Sequence, residues 1–253
     1  MPKALKIFGF VAAAAVILLL AGMAWMYQAS QAVPDFYQEA LVSVPAVEQE
    51  QASDEMVEQA TALVNEVRRT GDWEALFTDE QINGWLAVDL VKNHPGLLPK
   101  EAKDPRVVIT PNGAKLACRW DNGQFETIFS LDGDIYLTEP NVVALRIRGA
   151  RAGALPLPLD SILEAIRKAA ADAELPISET QADGDPVVMI TIPPPEGAER
   201  TSVWVENLEL RDGAVYLAGR TESEDSSNLG PGGILRHYQA LVTLSVLKWK
   251  RQR

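Results

Sequence analysis

The chain begins with one long apolar run. Residues 7–26 are twenty consecutive residues without a charged side chain. As a helix they would extend about 30 Å, the thickness of a bilayer's hydrocarbon core. Two lysines precede the run within residues 1–6, and Trp25 and Tyr27 lie at its far end, where amphipathic rings favour the membrane interface. The pattern predicts a transmembrane anchor over residues 7–27, a cytoplasmic N-terminal tip, and a main domain outside the cytoplasm.

A cleaved signal peptide is the alternative interpretation of this segment. Ser30 and Ala32 offer small residues at the two positions that a signal peptidase requires. The apolar region of a signal peptide is usually about 7–15 residues long, and this run is longer, which favours a retained anchor. The sequence by itself is compatible with both interpretations.

Residues 28–52 are predicted to link the anchor to a folded domain that begins at residue 53. Pro34 and Pro45 interrupt this stretch, so we expect a plain tether. A short helix over residues 36–41 is the one element that could continue toward the domain.

Two helices are predicted in the next part of the chain. Apolar residues repeat at helical spacing over residues 56–67, with Ser53 as the expected cap. The second helix begins with the capping box TDEQ at residues 78–81, and it is expected to end before Pro95.

After residue 106 the apolar period changes to two, which predicts strands. The expected strands cover residues 106–110, 115–120, 125–131, 134–138, 142–149, 187–192, 203–210, 214–220 and 239–247. The step Asp132-Gly133 is either a hairpin turn or a bulge in one long strand. The polar, glycine-rich residues 221–233 are predicted to form a mobile loop.

A third helix is predicted over residues 161–173. Ser161 and Glu164 have the spacing of a second capping box. The residues expected to face inward are Ile162, Leu163, Ile166 and Ala170. Because helices and strands are segregated along the chain, we predict an α+β fold. It consists of an N-terminal transmembrane helix and one domain, residues 53–247, whose largely antiparallel, curved sheet is packed by about three helices.

Two motifs together resemble a known family. They are TDEQINGWL at residues 78–86, and GALPLPL at residues 153–159 with the helix after it. They resemble the YpmS-like group of uncharacterised bacterial proteins, which have one N-terminal span, an acidic-x-x-Asn-x-x-Leu helix, an antiparallel sheet and a Gly-x-Leu-Pro-x-Pro turn into a helix. The resemblance covers residues 7–175. It implies an envelope-facing domain on a membrane anchor and brings no catalytic residues.

Charge is spread unevenly along the 253 residues. The chain has 23 basic and 35 acidic residues, a net charge of −12. Two lysines lie in residues 1–6 and four basic residues lie in residues 248–253, so the rest of the chain carries 17 basic residues and a net charge of −18. Such an acidic domain repels phosphate backbones, so nucleic acid is not an expected partner. Trp249 within the basic tail suits a membrane surface, and a solvated tail is the alternative.

The cysteine and histidine residues do not indicate a disulfide, a metal site or a catalytic residue. The single cysteine, Cys118, excludes an intramolecular disulfide, and with two histidines it is too little for a conventional zinc site, so no cofactor is predicted. Cys118 alternates in phase with Leu116 and Trp120, which favours a small buried residue over a reactive thiol. His94 and His237 are expected to lie at the surface or to cap a helix.

Carboxylates are the remaining candidates for catalysis. Asp132 with Asp134, and Asp183 with Asp185, could hold a cation or act as acid and base. Each pair flanks a glycine in turn-like sequence, where aspartate is common for structural reasons. No catalytic sequence motif is present, so a non-enzymatic protein is predicted, and a hydrolase that uses acidic residues is the weakest alternative.

The apolar segment at residues 155–159 is the candidate ligand site, with Leu155 and Leu157 as the contact residues. Its prolines are expected to exclude it from a strand ladder. It is either a hydrophobic lip that guides lipid or enters the membrane, or a buried crossover whose leucines pack under the next helix. We therefore expect a single-pass protein of the cytoplasmic membrane that binds lipid or another apolar ligand, and the alternative is an envelope scaffold that binds another protein.

Overall fold

The computed structural model describes residues 3–41, 45–193 and 201–223, with side chains from Ile17 onward except that of Thr201. The helices are α1 (Lys3–Ser30), α2 (Asp35–Leu41), α3 (Ala46–Val67), α4 (Asp79–Ala87), α5 (Asp89–Asn93) and α6 (Leu159–Asp172). The strands are β1 (Gly71–Thr78), β2 (Ala102–Thr110), β3 (Gly113–Asp121), β4 (Glu126–Glu139), β5 (Val142–Ala152), β6 (Leu155–Pro156), β7 (Ile177–Ala182), β8 (Asp185–Thr191), β9 (Thr201–Arg211) and β10 (Ala214–Ser223). The predicted loop over residues 221–233 is wrong at its start, because residues 221–223 extend β10. The rest of that loop, the predicted strand over 239–247, His237 and the basic tail lie outside the described residues.

The strands form two antiparallel sheets. The larger has the order β2-β3-β4-β5-β8-β7, with the short β6 paired to β5, and the smaller has the order β1-β10-β9. The predicted α+β fold with a largely antiparallel sheet is therefore confirmed. Strands β1 and β7 were not predicted. In β1 the buried Trp73, Ala75 and Phe77 alternate with exposed residues. This alternation is short and lies between two helices, so the sequence pattern did not identify it as a strand.

Each face of the larger sheet packs against a helix. Ala117 and Ile128 pack against Tyr37 of α2. On the opposite face, Ile147 packs against Leu163 of α6. Directly paired residues share a face, so the strand register assigns the other side chains either to this α2 face or to this α6 face.

The alternation in β3 differs from the prediction. Leu116 was expected to point into the core but is 44% exposed, whereas Ala117 is 1% exposed on the α2 face. Cys118 and Trp120 are half-buried on the α6 face. The prediction assumed one buried face, and here α2 covers the face that was taken as solvent-exposed.

Residues 28–52 are not a plain tether. They contain the end of α1, the whole of α2, where a short helix was foreseen, and the start of α3. Tyr37 is 1% exposed, and its hydroxyl donates a hydrogen bond to the carbonyl oxygen of Asp104 at 2.9 Å. Helix α2 therefore belongs to the packed structure, because its apolar residues cover part of the sheet.

Helices α3 and α4 cross in close contact. Ser53, predicted to cap α3, lies inside the helix at 2% exposure. A Cβ atom on Gly84 would lie 2.8 Å from the Cβ of Ala52, so glycine is needed for this approach. The capping box of α4 is confirmed, since the Gln81 N–H donates to Thr78 Oγ1 and the Thr78 N–H donates to Gln81 Oε1, both at 3.1 Å.

Strand β4 continues through the Asp132-Gly133 step, so this step is not a turn, and the bulge lies opposite it on β5. Asp132 pairs with Gly149 and Gly133 pairs with Ile147, so Arg148 is the extra residue on β5. A bulge changes the direction of the side chain that it inserts. Here it brings Arg148 to the same face as Asp132.

Helix α6 begins at Leu159, after Pro158, and has no side-chain cap. The predicted capping box between Ser161 and Glu164 is therefore wrong, because both residues already lie inside the helix. Its inward face is as predicted, with Leu163 and Ala170 buried and Ile162 and Ile166 packed against the core.

Asn141 joins the two sheets. It lies in the turn between β4 and β5 with a φ of 64°. Its Nδ2 donates to the carbonyl oxygen of Val203 at 2.7 Å, and its Oδ1 accepts from the N–H of Val205 at 2.6 Å. The carboxamide thus takes the place of a neighbouring strand at the edge of β9.

Candidate functional site

The C-terminal end of α1 is fixed to the turn between β5 and β6. The N–H of Ala154 donates to the carbonyl oxygen of Ala29 at 2.8 Å, and the hydroxyl of Thr127 donates to the carbonyl oxygen of Ser30 at 2.6 Å. The last carbonyl groups of a helix have no partner within it. The domain supplies these partners, so α1 is held by hydrogen bonds rather than by a free connector.

Gly153 makes this junction possible. Its φ is +60°, in the left-handed region that glycine tolerates best. A Cβ atom at this position would lie 2.5 Å from the carbonyl oxygens of both Ala29 and Ser30. Its own N–H donates to the carbonyl oxygen of Ile128 at 2.8 Å. The turn therefore touches the helix end backbone to backbone.

Leu155 and Leu157, the predicted site residues, follow this turn. Leu155 pairs with Ala152 and Pro156 pairs with Arg151, so the prediction that prolines exclude the segment from a strand ladder is wrong. Pairing is tolerated because proline lacks only the donor and β6 lies at the margin of the sheet. Both leucines are half-buried, and Pro156 is exposed. The segment is thus neither a free lip nor a fully buried crossover.

Between Ile17 and the junction, α1 exposes a series of large apolar side chains. Within the part of the chain that the structure describes, no helix has both the length and the apolar character to cross a membrane. Ser30 is 4% exposed at the junction. The large apolar side chains described before it are each more than half exposed: Ile17, Leu18, Leu19, Leu20, Met23, Trp25, Met26 and Tyr27.

The acidic pairs each bind an arginine. Asp132 and Asp134 bind the guanidinium of Arg148, the latter at 2.6 Å. The two aspartates at residues 183–185 bind Arg146 at 3.2 and 2.7 Å. The hydrogen bonds to these carboxylates raise the pKa of both arginines. Among the described side chains, no group of three or more could hold a metal ion.

A pocket of about 440 Å³ opens beside the junction. Its walls include residues 32–34, the turn at Gly153, and three basic side chains on the α2 face, Lys115, Arg148 and Arg151. We call it the junction pocket. Sequence reasoning did not find it, because its walls come from segments far apart in the chain and one of them was taken as a tether.

The three cations of the junction pocket differ in their partners. Arg148 is bound by two aspartates, as described above. The Nζ of Lys115 lies 5.6 Å from the centroid of the Phe36 ring. Arg151 is exposed, and its side chain has no ion pair or hydrogen bond with the residues that the structure describes. Two of the three cations are therefore available to a ligand.

A larger cavity of about 530 Å³, the acidic cleft, lies between α2, α3, α4 and β2. Arg106 lines it at 7% exposure, and the one hydrogen bond found for its guanidinium in the described chain is to the carbonyl oxygen of Pro105. Asn83 of α4 is bound to β2, since its side chain donates to the Val107 carbonyl and accepts from the Val107 N–H, both at 2.8 Å. Five carboxylates surround the cleft: Glu39, Glu48, Glu55, Asp79 and Glu80.

Cys118 and His94 have the environments expected of structural residues. Burial raises the pKa of the Cys118 thiol, so less of the reactive thiolate is present at neutral pH. His94 follows the end of α5, with its Nε2 at 3.4 Å from Asp89 Oδ2 and its ring centroid at 6.0 Å from that of Trp85. It closes the helix and packs on a neighbouring ring.

Comparisons with protein-family models, curated proteins and solved structures gave no match. The resemblance to the YpmS-like group stays a prediction from two motifs. The first motif forms α4 and its capping box, and the second forms the turn at Gly153, β6 and the start of α6.

Proposed function

We propose that the protein is a single-pass, membrane-anchored and non-enzymatic protein whose folded domain lies outside the cytoplasm and binds lipid where α1 enters it. Residues 7–27 form the anchor in this proposal. The two lysines in residues 1–6 favour a cytoplasmic N-terminus. Both acidic pairs bind arginines, so the proposal assigns them a structural role and includes no catalytic step.

The hydrogen-bonded junction is the observation that carries this proposal. Because Ala154 donates to Ala29 and Thr127 donates to Ser30, the position of α1 determines the position of the β5–β6 turn. A bilayer that holds α1 would therefore lie beside this turn. Trp25 and Tyr27, whose rings favour the interface, come only one helical turn before the junction.

The segment after the turn has the chemistry for contact with lipid. Leu155 and Leu157 are half-buried, and Pro156 between them is exposed. Val33, on the other side of the junction, is 38% exposed. These apolar groups surround the entry of α1, where they could meet the first acyl or glycerol carbons of the bilayer.

The acidic cleft favours a second candidate function, an envelope scaffold. Five carboxylates around a cavity of about 530 Å³ would suit a basic segment of a partner protein, since opposite charge promotes association. A basic peptide that binds the purified protein with strong salt dependence would support this alternative. Retention of lipid without such binding would support the first proposal.

Two experiments test the proposal. A C-terminal alkaline phosphatase fusion should be active, and a reporter that works only in the cytoplasm should be silent. Native mass spectrometry of the full chain extracted in mild detergent should show co-purified lipid. The reverse reporter result would contradict the proposed topology, and a chain free of lipid would contradict the proposed binding.

A further inference from the structure

The junction pocket is basic in an otherwise acidic protein. Outside its two basic termini the chain carries a net charge of −18. The walls of the junction pocket nevertheless hold three cations and one carboxylate, that of Asp132. Local charge of this sign attracts an anion that the rest of the domain repels.

Arg151 and Lys115 lie on the same face of the sheet. Arg151 pairs with Ser130, and Ser130 pairs with Ala117, so all three share the α2 face. Lys115 is two residues from Ala117 in the same strand and points to the same side. Arg151 is also two residues from Gly153, which places it next to the end of α1.

The bulge adds Arg148 to this surface. In a strand without a bulge, Arg148 would point to the face opposite the one that Gly149 shares with Asp132. Its hydrogen-bonding groups are used by Asp132, Asp134 and the carbonyl oxygen of Asn112. Arg148 therefore shapes the wall, while Arg151 and Lys115 keep donors for a ligand.

We propose, on the basis of the membrane anchoring proposed above, that the junction pocket binds the phosphate of an anionic lipid headgroup through Arg151 and Lys115. The headgroup layer on each side of a bilayer is about 5–8 Å thick, and the pocket begins where α1 ends. Guanidinium and ammonium groups are the usual phosphate partners in proteins. Val33 and Phe36 supply apolar contacts for the glycerol carbons beside the phosphate.

Native mass spectrometry of the full chain in a non-ionic detergent tests this assignment. The probes are dioctanoyl phosphatidylglycerol, dioctanoyl phosphatidylcholine and glycerol phosphate, each added at equal concentration. We expect phosphatidylglycerol to be retained preferentially. Arg151→Gln and Lys115→Gln should each weaken its binding about fivefold, the effect of one basic residue near an anionic surface.

Two variants serve as controls. Arg151→Lys keeps the positive charge and should retain most of the binding. Arg68→Gln removes an exposed cation outside the pocket and should leave binding unchanged. Thermal melting of each variant shows whether the fold is intact, because these side chains are exposed and their replacement should not unfold the domain.

The possible outcomes separate the two proposals. Equal retention of both lipids, unaffected by Arg151→Gln, would overturn the headgroup assignment and leave lipid binding intact. Retention of glycerol phosphate without either lipid would identify a small-phosphate site and overturn the lipid assignment. Retention of none of the probes would overturn both proposals.

Discussion

A Cβ atom on Gly153 would lie 2.5 Å from the carbonyl oxygen of Ser30. The end of the first helix and the turn between β5 and β6 therefore meet through their backbones. This contact connects an apolar helix to the domain without a flexible segment between them. It also explains why α2 packs on the sheet, since the chain leaves α1 already in contact with the sheet.

Gly153→Ala should weaken this junction. The change adds a clash with the helix end and places alanine at a φ of +60°, so we expect the domain to lose more than about 1 kcal/mol of stability. Denaturant unfolding of the full chain in detergent measures the loss, and hydrogen exchange at Ala154 measures the opening of the junction. Gly149→Ala is the matched control, because its Cβ would meet no atom within 4 Å. Equal effects of the two changes would contradict the account.

Leu155→Ser and Leu157→Ser distinguish packing from lipid contact. Each leucine is half-buried, so each change should cost about 0.8–1.5 kcal/mol, roughly half of the value for a fully buried leucine. Denaturant midpoints and lipid retention are measured for each variant separately. Leu97→Ser, at a leucine that is 66% exposed, should stay within about 0.5 kcal/mol of the wild type. Unchanged midpoints together with unchanged lipid retention would leave the segment with neither role.

Asn141 should be needed for docking of the smaller sheet. Asn141→Gly keeps the positive φ but removes both side-chain hydrogen bonds to β9, and we expect a loss of about 1–3 kcal/mol. Asn141→Ala should cost about 1 kcal/mol more, because alanine is also strained at this φ. Unfolding monitored by tryptophan fluorescence measures both losses. If the alanine variant were the more stable of the two, the positive φ would not be a constraint on this turn.

Tyr37 should make stability fall at alkaline pH. Burial, followed by the charge of Asp104, raises the pKa of Tyr37 from its ordinary value of 10.0 to about 12. Between these values the unfolded chain has released the phenolic proton while the folded chain keeps it, so the free energy of unfolding decreases as pH rises. Below pH 10 this contribution is fully present. Between pH 8 and 12 the free energy of unfolding should fall less steeply with pH for Tyr37→Phe than for the wild type. Identical slopes of the two proteins would show that Tyr37 does not titrate in this way.

Features that depend only on residues close together in the sequence, such as a helix cap, were in part predictable. The capping box of Thr78 and Gln81 is present because, at that spacing, each of the two side chains can accept a hydrogen bond from the other residue's backbone N–H. Ser161 and Glu164 have the same spacing but lie inside α6, because the helix continues back to Leu159 and its apolar contacts with the core. Tertiary packing decided where this helix begins.

Long-range relationships were not predictable. Tyr37 is buried because the α2 face of the sheet lies opposite it, and nothing near Tyr37 in the sequence indicates that sheet. The junction pocket likewise depends on a bulge that moves Arg148 and on pairing that places Arg151 beside the end of α1. Leu155 and Leu157 were identified from composition, but their position beside α1 follows from the turn at Gly153.

The central claim is that a bilayer lies beside the turn at Gly153, and fluorescence quenching tests it most directly. A fluorophore at Ala154→Cys in a Cys118→Ala background is compared with one at Glu139→Cys, with the full chain in lipid nanodiscs that carry a headgroup-attached quencher. Thr127, which donates to the carbonyl oxygen of Ser30, lies near the start of β4, and the exposed Glu139 is the last residue of that strand. The strand between these two residues is about 40 Å long. We predict strong quenching at residue 154 and little at residue 139, and equal quenching or the reverse order would contradict the account.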